Sequence, residues 1–303
     1  MRTAACQQWV QSAGDPNFFF LTGDLGFMAL EPLRDVLGNR FINAGVAEQN
    51  MISVAAGLTL EGMNVWVYSI APFCYARPFE QIRNDICHHR LPVKLVGNGG
   101  GYGYGPMGPS HHALEDYGSL LTLPGLRAYV PAFSEDLSIL VPSLQDVDHP
   151  AYLRLGRCEK PSGQDAGAYS PWRKLLSGNG IPILLIGPIA GEYWKTCLGL
   201  SEDVRPALWV LSELPVDDFD TIPGELLDQA VERGLCVVEE HTVQGSAGQQ
   251  LSRLMLAKNV QPERFWHFHA AGYPSGTYGS QIFHRRESGI VAQQVLDKLG
   301  FIS

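Results

Sequence analysis

One carboxylate, Glu48, stands at the head of a stretch of apolar and small residues. The segment from Phe41 to Gly62 reads FINAGVAEQNMISVAAGLTLEG. It starts like a strand, turns through small residues, and from Ala47 onwards carries apolar residues at helical spacing. Because apolar residues lie on almost every side, the pattern predicts a buried helix. Glu48 is then either an acid that satisfies the helix N-terminus or a buried acid with a catalytic hydrogen bond to make.

A glycine-rich segment ends in two adjacent histidines, His111 and His112. The segment 97–112 reads GNGGGYGYGPMGPSHH and formally matches GxGxxG. Two prolines interrupt the point where a dinucleotide-binding helix would begin, and no βαβ unit surrounds the match, so we reject that interpretation. The glycines are better explained by backbone that passes close to a ligand. The two histidines would titrate near neutrality as acid–base groups, although a histidine pair is more often structural.

Aromatic and cationic side chains follow the predicted strand Val65–Ile70. Phe73, Tyr75 and Phe79 come just after it, where a ring could stack on a flat ligand. Packing in an ordinary core is the alternative for each ring. Arg77 lies in the same segment and is a candidate cation for an anionic substrate.

Two further cations lie at the end of another predicted strand, in the segment AYLRLGR. These are Arg154 and Arg157. The forked guanidinium group of arginine suits bidentate binding of a phosphate. A surface salt bridge is the alternative role for these side chains.

Strands and helices alternate along the chain, which predicts an α/β fold with a mainly parallel sheet. Continuous apolar runs such as Phe18–Thr22 are typical of buried parallel strands. Ser134 is the expected N-cap of a helix. The stretch 161–180 is rich in Gly, Ser and Pro, and we expect it to link a first domain over 1–160 to a smaller α/β domain over 181–303.

The composition is that of a globular protein with ample core. The chain has 303 residues, of which 45% are hydrophobic and 17% charged, and its formal net charge is −9. No basic cluster is present, so we expect no nucleic-acid partner. The six cysteines form no CxxC pair and no metal-finger spacing. We find neither a signal-peptide core nor an apolar run of membrane-spanning length, and we expect a cytoplasmic protein with no membrane partner.

The motif AGVAEQN and several segments after it resemble the cofactor-activating half of transketolases, which use thiamine diphosphate. The similarity extends through SIAPF, RPFEQIRND, LPVKLVGNGGG, GPSHH and VVEEH. It covers most of this chain but only the C-terminal half of an ordinary transketolase, namely the pyrimidine-binding domain and the domain after it. The corresponding half of 1-deoxyxylulose-5-phosphate synthases is similar as well.

The resemblance implies roles on the cofactor side of a site. In transketolases the Glu of this motif hydrogen-bonds N1′ of the cofactor's aminopyrimidine, and here that residue is Glu48. The aromatic residue that stacks on the pyrimidine corresponds to Phe73. Further cofactor-binding candidates are Tyr75 and Phe79, and Asp24 and Leu25 in a loop that matches the pyrimidine-binding domain.

The resemblance also implies roles on the substrate side. GPSHH is similar to a family motif whose His faces the substrate and the reacting carbon, which makes His111 a catalytic candidate and leaves His112 as a neighbour that could bind substrate. Arg157 matches an Arg that binds the phosphate of a sugar-phosphate substrate, and Arg77 is a second candidate. Glu239 to His241 match a feature of the C-terminal domain that lies away from the chemistry, so we expect them to be structural.

Half of a cofactor site is missing from the sequence. Transketolases hold Mg²⁺ and the diphosphate with a GDG motif and a later Asn in their N-terminal domain, and this chain has no GDG. The resemblance therefore implies an N-terminal partner subunit that carries the GDG motif and the metal ligands. It implies no metal ligand on this chain. The expected assembly is a heterotetramer with two copies of each subunit (α2β2), in which this chain also self-associates. The whole enzyme would transfer a two-carbon ketol unit from a ketose, usually a phosphate, to an aldose.

Three alternatives stay open at this point. The chain could be the β subunit of a 2-oxoacid dehydrogenase E1 component, although GPSHH differs from the pattern of that family. It could belong to an enzyme that is similar to 1-deoxyxylulose-5-phosphate synthase. It could also be a non-catalytic partner protein that retains the fold. The sequence names neither the donor nor the acceptor.

Overall fold

The computed structural model describes residues 1–301, and two β-sheets organise them. The strands are β1 Phe18–Thr22, β2 Phe41–Asn43, β3 Asn64–Ile70, β4 Lys94–Asn98, β5 Arg127–Tyr129, β6 Ala151–Leu155, β7 Trp172–Leu176, β8 Gly180–Ile186, β9 Pro206–Leu211, β10 Glu213–Leu214, β11 Leu235–Val238 and β12 Phe265–Phe268.

Helices connect most of these strands. They are α1 Arg2–Ser12, α2 Glu31–Leu37, α3 Glu48–Leu60, α4 Ala71–Tyr75, α5 Phe79–Gln81, α6 Asp116–Leu120, α7 Leu137–Gln145, α8 Ala190–Cys197, α9 Gly224–Arg233, α10 Ala247–Ala257, α11 Gln281–Glu287 and α12 Ala292–Lys298. The short α5 continues as a π-helical segment over Ile82–Cys87.

Both sheets are mainly parallel, which confirms the predicted α/β class. The first has the strand order β10-β5-β6-β4-β3-β1-β2, and within it only β10 is antiparallel to its neighbour. The second has the order β12-β11-β8-β9-β7, with β7 antiparallel to β9. In both sheets the parallel strands lie side by side and the antiparallel strand is at one edge.

Two apolar cores cover the first sheet, one on each face. Phe20 of β1 and Trp66 of β3 belong to one core, and Leu21 and Val67 belong to the other. Successive side chains of a strand point to opposite faces, so a strand that is covered on both sides must be apolar at consecutive positions. This is the physical reason for the continuous apolar run of β1.

The stretch 161–180, predicted as a linker, contains the edge strand β7. Its residue Arg173 is buried and forms a forked ion pair with Asp136, at 2.9 and 3.0 Å. The inward-facing position of this strand is therefore an arginine. For that reason the sequence does not show the alternation of apolar and polar residues by which a strand is usually predicted. The division into domains at residues 160 and 181 stays a prediction.

Two local predictions were wrong. The N-terminal turn before α7 is capped by Asp136, whose Oδ2 accepts 3.0 Å hydrogen bonds from the backbone of Ala132 and Phe133, and Ser134 takes no part in it. Helix α3 is buried on one face only, because Val54 and Leu60 are 38% and 66% exposed. An apolar pattern around a helix does not by itself say which faces are covered within one chain.

A buried polar cluster after β11 joins the two sheets. The Glu240 carboxylate accepts hydrogen bonds from the backbone of Tyr102, at 2.7 Å, and from Arg285, at 2.7 and 2.9 Å. Glu239 accepts from the hydroxyl of Tyr117, whose ring stacks on His241 with centroids 3.9 Å apart. These contacts fit the structural role that the sequence predicts for this segment.

Within residues 1–301, no helix combines the length and the apolar character needed to cross a membrane.

Candidate active site

The predicted site residues all follow the carboxyl ends of strands in the first sheet, the edge where ligands bind in open parallel sheets. Asp24 and Leu25 follow β1, Glu48 follows β2, Phe73 and Arg77 follow β3, His111 follows β4, and Arg157 follows β6.

Glu48 is the first residue of α3 and is 5% exposed. The chain turns from β2 into this helix through Gly45, which has a φ of +72°. The carboxylate does not cap the helix; its Oε1 accepts a 2.8 Å hydrogen bond from Nη1 of Arg77. A buried carboxylate with a single charged partner can exchange that partner for another flat N–H donor.

Phe73 lies beside this ion pair and presents one ring face to it. The guanidinium carbon of Arg77 is 3.7 Å from the centroid of the Phe73 ring. A planar group that donates an N–H to Glu48 therefore fits between the carboxylate and the ring. Thiamine diphosphate has such a group in its aminopyrimidine, so the residues present fit that half of the cofactor.

His111 completes the group. Its ring centroid is 5.2 Å from that of Phe73, in an edge-to-face arrangement, and its Nδ1 is 2.9 Å from the Ser110 hydroxyl. The side chain is half-buried. The structure thus brings Glu48, Arg77, Phe73 and His111 together, although they are spread over more than sixty residues of sequence.

Tyr104, which no sequence pattern singled out, lies next to His111 with ring centroids 5.8 Å apart. Its hydroxyl accepts a 2.8 Å hydrogen bond from the Asn98 side chain at the end of β4. Burial raises the pKa of Tyr104, while that bond and the charges of Arg2 and Arg157 oppose the rise. An aromatic residue between the glycines of this loop was the only signal available in the sequence.

Arg157 is exposed and lines a cavity of about 430 Å³ together with Glu192, Gln281 and Arg285. In the described part of the chain it makes no hydrogen bond or ion pair. Its guanidinium group is therefore available to an anion, whereas Arg154 is buried and bonded to Asp116 at 2.7 Å.

Three other predicted residues are held by packing or hydrogen-bond contacts. Tyr75 is 7% exposed, donates a 3.2 Å hydrogen bond to Glu115, and has a pKa raised by burial. Phe79 packs against the core that contains Leu21 and Val67. His112 is 3% exposed, with Nδ1 at 2.9 Å from the Tyr273 hydroxyl and Nε2 at 2.8 Å from the carbonyl of Gly105. Both ring nitrogens of His112 are taken, so this placement does not favour a role in binding substrate.

Asp24 and Leu25 line a separate groove of about 350 Å³ at the end of β1. Asp24 has a φ of +50° and exchanges hydrogen bonds with Asn43, at 2.9 and 3.0 Å. Across the described residues, no group of three or more His, Cys, Asp or Glu is placed to hold a metal ion.

Comparison with known proteins identifies the family. The model of the transketolase pyrimidine-binding domain matches residues 3–161, which is just over half of the chain and includes Glu48, Phe73, Arg77 and His111. The chain belongs to the transketolase family. This confirms the resemblance seen in the sequence.

Two relatives in sequence and one solved structure each match most of the chain. One of the subunits of an apulose-4-phosphate transketolase from Phocaeicola vulgatus is 29% identical over 293 residues, which are 94% of this chain and 89% of that protein. A 1-deoxy-D-xylulose-5-phosphate synthase from Geobacter sulfurreducens is 29% identical over 71% of this chain but only 34% of its own length. A solved structure described as "Split gene transketolase, inactive beta4 tetramer" shares the fold, with a TM-score of 0.79, 24% identity, and coverage of 98% of this chain and 96% of that one.

Proposed function

We propose that this chain is the pyrimidine-binding subunit of a two-component transketolase that depends on thiamine diphosphate. The enzyme transfers a two-carbon ketol unit from a ketose, commonly a phosphate, to an aldose. The observation that carries the proposal is that Glu48 and the face of Phe73 hold the same flat cation, at 2.8 and 3.7 Å. The similarity to the apulose-4-phosphate transketolase subunit over most of both chains supports it.

Each residue of the site has a defined task in this proposal. Glu48 holds the proton at N1′ of the aminopyrimidine, and Phe73 supports the ring from one face. His111 gives or takes a proton at a substrate oxygen, and Arg157 binds a substrate phosphate. When bound, the cofactor supplies the electron sink that lets the substrate's carbonyl carbon act as a nucleophile.

A second subunit completes the site. It would carry the GDG motif and the ligands for Mg²⁺ and the diphosphate, in a cytoplasmic assembly with two copies of each chain. The relative whose name describes one subunit of a transketolase, and the solved structure whose description contains the words "split gene", support a partner. The description of that structure also calls a tetramer of β chains inactive, which supports the expectation that this chain needs its partner.

Reconstitution tests the proposal. We expect this chain alone, with thiamine diphosphate and Mg²⁺, to show weak cofactor binding by calorimetry and no ketol transfer. An N-terminal transketolase subunit encoded in the same genome should restore both, with a mass that corresponds to two copies of each chain. Full turnover by this chain alone, or no ketol transfer with any such partner, would contradict the proposal.

The same assay separates the proposal from its rivals. The match to 1-deoxy-D-xylulose-5-phosphate synthases covers 71% of this chain, so pyruvate is included as a donor. Release of CO₂ from pyruvate, without transfer from ketose phosphates, would indicate chemistry of that synthase or of a 2-oxoacid dehydrogenase E1 component. Tight assembly without any turnover would indicate a non-catalytic partner.

A further inference from the structure

We propose that Arg77 takes the place of the cofactor's aminopyrimidine ring in the isolated chain and must leave Glu48 and Phe73 before the cofactor binds. The inference rests on the proposed function, since it takes the pyrimidine as the ligand. It adds a competition inside the site that the function alone does not require.

The contacts of Arg77 are those that a bound pyrimidine needs. Its Nη1 donates to Oε1 of Glu48 at 2.8 Å, and its guanidinium carbon lies 3.7 Å from the centroid of the Phe73 ring. Both distances are contact distances, so a second planar group cannot enter between the carboxylate and this ring face while Arg77 is there.

The chemistry of the two groups is alike. A guanidinium group is flat, donates N–H bonds in its own plane and stacks on aromatic faces. An aminopyrimidine protonated at N1′ is also flat, donates an N–H to a carboxylate and stacks on an aromatic ring. Arg77 therefore satisfies the buried charge of Glu48, which is 5% exposed and would otherwise lie unpaired.

Arg77 is also free to move away. Its side chain is 45% exposed, and the residue lies between α4 and α5 rather than inside a helix. Glu48 and Phe73 are set by α3 and α4, so the pyrimidine site stays formed when the arginine swings out. In the isolated chain the guanidinium group thus holds the side chains of Glu48 and Phe73 in place, and it lowers the apparent affinity for any ligand that needs both of them.

The test measures binding of a pyrimidine probe to the isolated chain, apart from any activity. The probe is 4-amino-5-hydroxymethyl-2-methylpyrimidine, titrated by calorimetry and by ligand-observed NMR into the wild-type chain and the Arg77→Ala variant. Because the variant removes a charge-assisted competitor, we expect its affinity to be about tenfold higher or more. Arg83→Ala, which removes an exposed arginine paired with Glu80, is the matched control and should behave as wild type.

A double variant checks that the probe binds at the proposed place. Adding Glu48→Gln to Arg77→Ala should abolish the gain, because the probe then loses its carboxylate partner. If Arg77→Ala does not fold, Arg77→Lys keeps a cation but loses the flat fork, and we expect a smaller gain in affinity. Unchanged, weaker or undetectable binding in the folded variant would overturn the proposal.

The complex gives an independent measurement and separates this inference from the proposed function. In the assembled enzyme, Arg77→Ala should speed the association of thiamine diphosphate, followed by the change in protein fluorescence. If the wild-type complex transfers no ketol unit while the probe still binds the variant better, the proposed function fails and the competition stands. If the complex is active but Arg77→Ala brings no gain in probe affinity, the competition fails and the function stands.

Discussion

Glu48 carries the chemistry proposed for this chain, and its surroundings limit what a substitution there would change. The carboxylate is buried, and Arg77 holds one of its oxygens at 2.8 Å. An amide of the same shape still offers an oxygen to Arg77, so the local structure should tolerate it. The amide lacks the negative charge that stabilises a proton at N1′ of the cofactor.

Glu48→Gln should therefore keep the fold and lose activity in the assembled enzyme. We expect kcat to fall by about 10²-fold or more, the scale of a lost proton-transfer group, with a smaller change in KM. Hydrogen–deuterium exchange at C2 of the bound cofactor should slow in parallel. Glu61→Gln, which changes an exposed acid just after α3, is the control. A wild-type exchange rate in Glu48→Gln would remove the proposed role.

At the scale of elements, the loop after β4 ties the candidate site to the second sheet. It carries Tyr104 and His111, and its backbone at Gly101 forms an antiparallel bridge to Ala113. Gly101 has a φ of +64°, and a Cβ there would lie 2.7 Å from Cγ and Cδ of Glu240. The glycine is needed both for its backbone conformation and for the close approach of this carboxylate.

Gly101→Ala tests how far the close contact between Gly101 and Glu240 contributes to stability. An L side chain at a left-handed position costs about 1–2 kcal/mol, and here the Cβ must also displace Glu240 from its bonds to Tyr102 and Arg285. Gly125→Ala has a similar φ of +76° with no atom within 4 Å of the Cβ, so it reports the backbone strain alone. We expect Gly101→Ala to lower the free energy of unfolding in urea by at least about 1 kcal/mol more than Gly125→Ala. Equal losses would mean that Glu240 moves away without consequence.

At the scale of the whole molecule, buried histidines lie in the contact between the first sheet and the C-terminal part of the chain. His241 is fully buried, its Nε2 accepts a hydrogen bond from the Gly118 backbone at 3.1 Å, and its Nδ1 donates to the Thr242 carbonyl at 2.7 Å. Burial lowers its pKa, against the opposing charges of Asp116 and Glu239. Burial also lowers the pKa of His112 and of His284.

The stability of the chain should therefore fall in mild acid. When the pH drops through about 6.5, the unfolded chain binds protons that these three histidines do not bind in the folded chain, so unfolding is favoured. Each histidine that stays neutral contributes a slope of up to about 1.4 kcal/mol per pH unit. Urea unfolding at several pH values between 7.5 and 5.5 measures this slope.

Substitutions distinguish the contribution of the buried histidines to the pH dependence of stability from that of the exposed ones. His241→Gln should flatten the dependence of the free energy of unfolding on pH, whatever it does to stability at pH 7.5. The exposed pair His88 and His89, both changed to Gln, should leave the slope as in wild type. A flat profile in the wild-type chain would contradict the prediction.

Much of the fold and part of the site could be predicted because they depend on local patterns. The apolar run of β1 and the alternation of strands with helices predict a mainly parallel α/β protein, since strands covered on both faces need apolar side chains at every position. Glu48 at the head of a helix and His111 in a glycine-rich loop became candidates for the site in the same way. Their motifs also gave the family.

Contacts between residues that are distant in sequence were decided only by the tertiary structure. Arg77 and Glu48 are 29 residues apart, and no local pattern pairs them. The adjacent His111 and His112 differ because packing turns one ring toward Phe73 and the other toward Tyr273, which is 161 residues further along the chain. The strand β10 follows β9 of the second sheet along the chain but pairs with β5 of the first sheet, and no local pattern predicts that pairing. Side-chain directions in loops and the pairing of edge strands depend on what packs against them, and that information is spread over the whole chain.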